Sequence, residues 1–183
     1  AAFTHGHPSG YLSAGFFASV ISDLAVGINL EESINNALAI LKNWKACSET
    51  LHAVESALDL YTEKRSLVSQ EPGKIPEFIE QLGAGWVGAE ALAISLFCSL
   101  LYQNDFEKGV LAAVNHSGDS DSTGSITGNI LGLINGLHAI PEKWITNLRH
   151  NNIVRTIGED LHTVVKGNSR DIDPEFWNKY PGI

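Results

Sequence analysis

Asn115-His116-Ser117-Gly118-Asp119-Ser120-Asp121-Ser122-Thr123-Gly124 gathers carboxylates, hydroxyls and glycines between two apolar segments. Beyond it, Gly124, Gly128, Gly132 and Gly136 recur at every fourth position of a run that reads as a helix to about Gly136. On a helix such positions form one slowly drifting row. Each interior glycine costs roughly 1 kcal/mol relative to alanine, so a row of them needs a compensating contact. The spacing therefore predicts close approach of a neighbouring backbone, which would hold the acidic loop at the N-terminus of the helix still.

Outward from this stretch, apolar residues return at three- and four-residue steps, the period of a buried helix face. Pro8 to about Val26 carries Tyr11, Ala14, Gly15, Ala18, Ile21 and Ala25 in such a row, and Gly27-Ile28-Asn29 is a stop signal. Leu30 to Lys45 presents Ile34, Ala37, Leu38, Leu41 and Trp44, with Glu31 and Glu32 at the positive end of its dipole. Ser48 to Ser66 follows, faced by Leu51, Val54, Leu58 and Tyr61. Gln70 to Gly73 reads as a loop, Pro76 to Leu82 as a short helix or turn, and Ala89 to Tyr102 as a strongly apolar helix. Asp105 to Val114 is another helix, and Pro141 suits the first position of a short one. Val154 to Val165 is amphipathic and is expected to close the fold, with Asp173-Pro174-Glu175-Phe176-Trp177 an irregular tail. No stretch sustains the two-residue alternation of a strand. The expectation is all-α: a multi-helix bundle forming one helical domain over 1–183.

Composition agrees. A chain of 183 residues with 44% hydrophobic content suits a single core. A net charge of −9 argues against nucleic acid or an anionic membrane surface as partner, and leaves room for a small anion at a local site. Two cysteines, Cys47 and Cys98, make no disulfide framework, which fits a reducing, cytoplasmic setting. The sequence holds no methionine and opens at Ala1-Ala2-Phe3, so it is expected to be N-terminally incomplete.

Three motifs carry chemistry. In the acidic loop, aspartates two residues apart, with serines and a glycine, offer hard oxygen ligands suited to Mg²⁺, Ca²⁺ or Mn²⁺. The same pattern opens an EF-hand loop, but that loop needs a bidentate Glu at its twelfth position and Ile130 stands there. The plainer reading is an N-cap loop, with Ser122 or Thr123 capping the next helix. Gly83-Ala84-Gly85-Trp86-Val87-Gly88 matches G-x-G-x-x-G, yet no strand precedes it, so a dinucleotide fold is excluded. What remains is a glycine loop before a helix N-terminus, able to meet phosphate or ribose oxygens, or a plain turn with Trp86 in the core. Thr4-His5-Gly6-His7-Pro8 places two histidines before a helix, as ligand contacts or as structural side chains, the latter the better reading for His7.

Together and in this order, Thr4-His5-Gly6-His7 with Gly10-Tyr11, Leu82-Gly83-Ala84-Gly85-Trp86, and Gly118-Asp119-Ser120-Asp121-Ser122 with its small-residue helix resemble the ADP-ribosylglycohydrolases. The family includes the dinitrogenase-reductase-activating glycohydrolase and the ADP-ribosylarginine hydrolases. The resemblance spans the chain to about Pro141. It implies an all-α orthogonal bundle and a metal-dependent hydrolase cleaving the bond between C1″ of ADP-ribose and a protein side chain. By the same resemblance the cofactor is a pair of Mg²⁺ ions, with Mn²⁺ as the substitute, and the partner is ADP-ribose or an ADP-ribosylated protein. Asp119, Asp121 and Ser122 would be metal ligands, with Asp119 and Asp121 the catalytic pair. His5, Gly83, Gly85 and Trp86 would contact the substrate.

The sequence also departs from the family. Ser122 stands where the family usually has Thr, and Ser117 where it more often has Gly. Ala89 precedes Glu90 where bacterial relatives often carry two acidic residues. The family's remaining ligands, an N-terminal Glu and a Thr-Asp-Asp run, lie ahead of the Thr-His motif, and nothing in this chain matches them. The chain is therefore expected to be a C-terminal portion with about half of the dimetal site, inactive alone and completed by an N-terminal segment or chain. The linkage stays open between arginine, serine and other targets, with arginine favoured by analogy. The rival reading is a non-catalytic ADP-ribose-binding or structural relative.

Overall fold

The computed structural model describes residues 1–68, 70–166 and 174–180, and these fold as helices joined by turns, with no strand among them. They form two compact units, Ala1–Ile140 and Pro141–Ile183. The first holds α1 (Pro8–Ala25), α2 (Leu30–Leu41), α3 (Ser48–Lys64), α4 (Ile75–Ile79), α5 (Gly88–Leu101), α6 (Phe106–Val114) and α7 (Ser120–Asn135). The chain is all-α, as its periodicity predicts.

At the centre is α5, whose sequence is apolar all round. Ala89 and every residue from Ala91 to Leu100 are buried, and the helix packs against α1, α3, α6 and α7. A helix without a polar face is stable only when neighbours cover every side. Cys98 lies on it, fully buried, and burial pushes its thiol pKa up.

Helix ends follow local chemistry. Val26 caps α1 and Gly27 turns away at φ +89°. Asn29 then caps α2, its side-chain oxygen accepting the Glu32 N–H at 2.9 Å. Asp105 caps α6 in the same way, accepting the Lys108 N–H at 3.0 Å.

The buried face of α2 includes Ile34, Ala37, Leu38 and Leu41, as expected, while those of α1 and α3 differ. On α1 the core row is Leu12, Phe16, Val20 and Leu24, while Ala14, Gly15, Ala18 and Ala25 are exposed. Where two apolar rows compete, the row with larger side chains removes more area from water. Of the small row, Ala14 and Gly15 instead border an apolar groove of about 480 Å³ shared with Ile40, Leu41 and Trp44. On α3 the buried residues are Thr50, Val54, Ala57 and Leu60; Val54 is as expected, while Leu51, Leu58 and Tyr61 are only partly buried against the core. The second helix also ends sooner than expected, at Leu41, which leaves Trp44 in the following turn and exposed.

The second unit contains α8 (Glu142–Asn147), α9 (Asn151–Lys166) and a 3₁₀ helix at Pro174–Lys179. Pro141 is the N-cap of α8, one position before the place expected. None of the residues of α9 is buried, in contrast to the closing role expected of it. Asp160 accepts the Tyr180 hydroxyl at 2.8 Å and lies 3.2 Å from the Lys179 ammonium, which fastens the 3₁₀ helix to α9. The tail expected to be irregular is thus helical from Pro174, while Asp173 lies outside the described residues.

Candidate functional site

Asp119 takes the N-cap position of α7, so Ser122 and Thr123 lie within the first helical turn and do not cap it. The half-buried Asp119 carboxyl is held below the usual carboxylate range by a hydrogen bond with Asp121 and then by the Ser122 hydroxyl. The Ser122 backbone N–H in turn donates to Asp121 Oδ1 at 3.1 Å. Three hard oxygen donors therefore share one helix start.

The loop is braced from behind by Thr123, which is fully buried. Its Oγ1 lies 2.6 Å from the Ala113 carbonyl and 3.1 Å from His116 Nε2. His116 Nδ1 accepts the Gly118 N–H at 3.1 Å. With Nδ1 accepting, the imidazole proton sits on Nε2 and is donated to Thr123, whose own hydroxyl proton goes to Ala113. His116 is thus locked in one tautomer, bridging both ends of the acidic loop. The loop is also tied to the central helix, since Ser95 Oγ lies 3.1 Å from the Thr123 carbonyl.

The glycine row faces α6 in antiparallel register. A Cβ on Gly124 would meet Val114, one on Gly128 would meet Val110 and one on Gly132 would meet Phe106. Only Gly124 is too tight, at 2.6 Å, whereas the other two distances are 4.0 and 3.9 Å. The neighbour is a ridge of side chains at four-residue steps, and not the closely approaching backbone expected from the sequence. Close backbone approach occurs one loop earlier, where a Cβ on Gly118 would lie 1.8 Å from the Ala84 carbonyl oxygen.

That contact joins the acidic loop to the glycine loop. The Asp119 N–H donates to the Ala84 carbonyl at 2.7 Å, and a Cβ on Gly85 would sit 3.4 Å from Asp119 Cβ. Gly83 and Gly85 have φ of +106° and +81°, values that favour glycine. Glu90, from the first turn of α5, closes the arrangement: its Oε2 accepts the Ala84 and Gly85 N–H groups at 3.1 and 3.0 Å. These two amides are therefore occupied by a protein carboxylate. Trp86 stands 73% exposed beside the loop, which overturns the reading that put it in the core.

The histidine motif reaches this region through the start of α1. His7 is the N-cap of α1, its Nδ1 accepting the Ser9 N–H at 3.4 Å, a structural role. His5 is exposed, its Nδ1 2.8 Å from Thr4 Oγ1, in a turn closed by the Ala1 carbonyl. A Cβ on Gly10 would lie 3.1 Å from His5 Cβ, and one on Gly88 would lie 3.8 Å from Gly10 Cα. The starts of α1 and α5 thus touch, and the loop before α5 touches the start of α7. Sequence reasoning missed Glu90 as the organiser of the glycine loop. The available signal was an acidic residue at the third helical position, the place from which a side chain reaches back over a helix start.

The donor set is chemically suited to a hard divalent cation: two carboxylates and a hydroxyl, all oxygen. Among the described residues no group of three or more His, Cys, Asp or Glu side chains gathers to hold an ion. Among the described residues no helix is long and apolar enough to cross a membrane.

Comparison with known proteins agrees with this architecture. The sequence matches an uncharacterized protein of Archaeoglobus fulgidus at 30% identity over 115 residues, 62% of this chain and 37% of that protein. It matches ADP-ribosylhydrolase ARH3 of Bos taurus at 22% identity, covering 83% of this chain and 48% of the relative. For ADP-ribosylhydrolase ARH3 of Mus musculus the identity is 21%, over 86% of this chain and 49% of the relative. The chain thus spans half or less of the length of these relatives. No solved structure matches it. The family model of ADP-ribosylglycohydrolase matches residues 1–171, nearly the whole sequence, and the chain belongs to that family.

Proposed function

We propose that this chain carries one side of the site with which an ADP-ribosylglycohydrolase cleaves the bond between C1″ of ADP-ribose and a protein side chain. The observation that supports it is the interlock of the acidic and glycine loops, with the Asp119 N–H on the Ala84 carbonyl at 2.7 Å. The interlock sets Asp119 next to the loop from which Trp86 projects. In this reading Asp119, Asp121 and Ser122 hold divalent metal, with Mg²⁺ as the physiological ion and Mn²⁺ as substitute. His5, Gly83, Gly85 and Trp86 form the substrate side, Trp86 offering an exposed indole on which an adenine or ribose face can lie. When bound, such ions would align ribose hydroxyls, polarise a water and stabilise charge as the glycosidic bond breaks. The remaining coordination positions fall to water, ligand oxygens and any further protein donors. Asp119 and Asp121 would offset the cation charge. Through the loop interlock the chain fixes where those carboxylates stand relative to the sugar.

A full-length protein incubated with an ADP-ribosylated protein should release ADP-ribose in Mg²⁺, stop on addition of EDTA and resume when Mg²⁺ or Mn²⁺ is restored. Release that persists through exhaustive chelation would remove the metal from the reading. The rival, a non-catalytic ADP-ribose-binding relative, draws on the small number of carboxylates gathered here. It predicts calorimetric binding of ADP-ribose with no release under any metal.

A further inference from the structure

Glu90 lies outside the expected donor set, yet it holds the glycine loop in place. Its side chain is half-buried, and one oxygen accepts two consecutive backbone N–H groups, of Ala84 and Gly85. The Ala84 residue is then gripped at both ends: its N–H by Glu90, its carbonyl by the Asp119 N–H. Fit reinforces the grip. A Cβ on Gly83 would lie 2.4 Å from Glu90 Cδ, so the carboxylate fills the space that the missing side chain leaves. A loop with glycines at φ +106° and +81° has many conformations open to it, and a fixed acceptor selects one.

We infer that Glu90 is a positioning residue: acting through the Ala84 peptide, it sets the location of Asp119 and hence the geometry of the acidic loop. The inference rests on the proposed metal-dependent function for its consequence, but its structural step stands by itself. Glu90 acts by reach and acceptor geometry, and charge alone does not suffice. Shortening the side chain by one methylene with Glu90→Asp keeps the charge and withdraws the acceptor from the two amides. Glu90→Gln keeps the length and one carbonyl acceptor.

The test uses the full-length protein and three variants, Glu90→Asp, Glu90→Leu and Glu90→Gln, with two readouts: Mg²⁺ titration calorimetry and amide hydrogen exchange. Removing a group that orients a metal ligand typically costs 10–100-fold in affinity, so Glu90→Asp and Glu90→Leu should bind Mg²⁺ roughly tenfold or more weakly. The Ala84, Gly85 and Asp119 amides should exchange at least tenfold faster in both, with the α5 core amides unchanged. Glu90→Gln should restore most of both properties, which a purely electrostatic role would not allow. Wild-type exchange at Asp119 in Glu90→Asp, a variant conservative enough to fold, overturns the inference. If the wild-type protein takes no Mg²⁺, the proposed function fails, and the exchange of the Asp119 amide still decides whether Glu90 positions it.

Discussion

A Cβ on Gly118 would lie 1.8 Å from the Ala84 carbonyl oxygen and 2.9 Å from its Cα, main-chain atoms that no rotamer change can move aside. Gly118→Ala should therefore separate the two loops and break the Asp119 N–H bond to Ala84. The expected loss is about 1–3 kcal/mol in urea unfolding, the usual cost of overpacking. Gly6→Ala, with nothing within 4 Å of its Cβ, is the control and should move stability by less than about 0.5 kcal/mol. At this scale the acidic loop was legible from the sequence, because residue types alone mark hard oxygen donors. The interlock was not. It joins residues 84 and 119, far apart along the chain, and depends on which carbonyl a glycine leaves uncovered. For the same reason the residues alone left Trp86 open between a ligand contact and a core side chain: its hydrophobicity is local information, and its 73% exposure is not.

At the scale of elements, helix existence, most ends and the buried face of α2 followed from period and capping residues, while the buried face of α1 did not. On α1, apolar residues line two sides, and periodicity alone cannot choose the row that meets the core. The glycine row of α7 has a similar lesson. Its neighbour on α6 is a ridge of Phe106, Val110 and Val114, and the three glycines are not equivalent. Gly128→Ala and Gly132→Ala should each stabilise by about 0.5–1 kcal/mol, because helix propensity improves and the new methyl makes an ordinary contact. Gly124→Ala should destabilise, since its Cβ would stand 2.6 Å from Val114 Cγ1. Thermal melts of the three variants separate these outcomes, and equal effects at all three positions would contradict the register described.

The start of α6 gives a pH prediction. Hydrogen bonds from the Lys108 side chain and then its backbone N–H hold the Asp105 carboxyl below its ordinary value of 3.8. A depressed carboxylate contributes stability that is fully present above the unfolded value and is lost as pH falls through the folded one. The contribution should thus fade on acidification below about pH 4, toward the lowered folded value. Asp105→Ala should cost about 1 kcal/mol at pH 7 and progressively less in that acid window. A penalty independent of pH from neutral to acid would show that the cap does not act through its charge.

At the scale of the molecule, the first unit brings the starts of α1, α5 and α7 together around one buried helix. All three sequence motifs sit at or just ahead of those starts. The all-α class was legible because a 3.6-residue period runs through the chain, and the family was legible because its motifs are short and local. Metal-dependent cleavage of an ADP-ribosyl bond is the central proposal. The most direct test is release of ADP-ribose from an ADP-ribosylated protein by the full-length enzyme and its Asp121→Ala variant, in saturating Mg²⁺. The metal reading predicts a loss of at least about a hundredfold in rate, the scale at which removing an electrostatic stabiliser of the transition state is felt, with the fold intact by circular dichroism. Full activity of Asp121→Ala would contradict it.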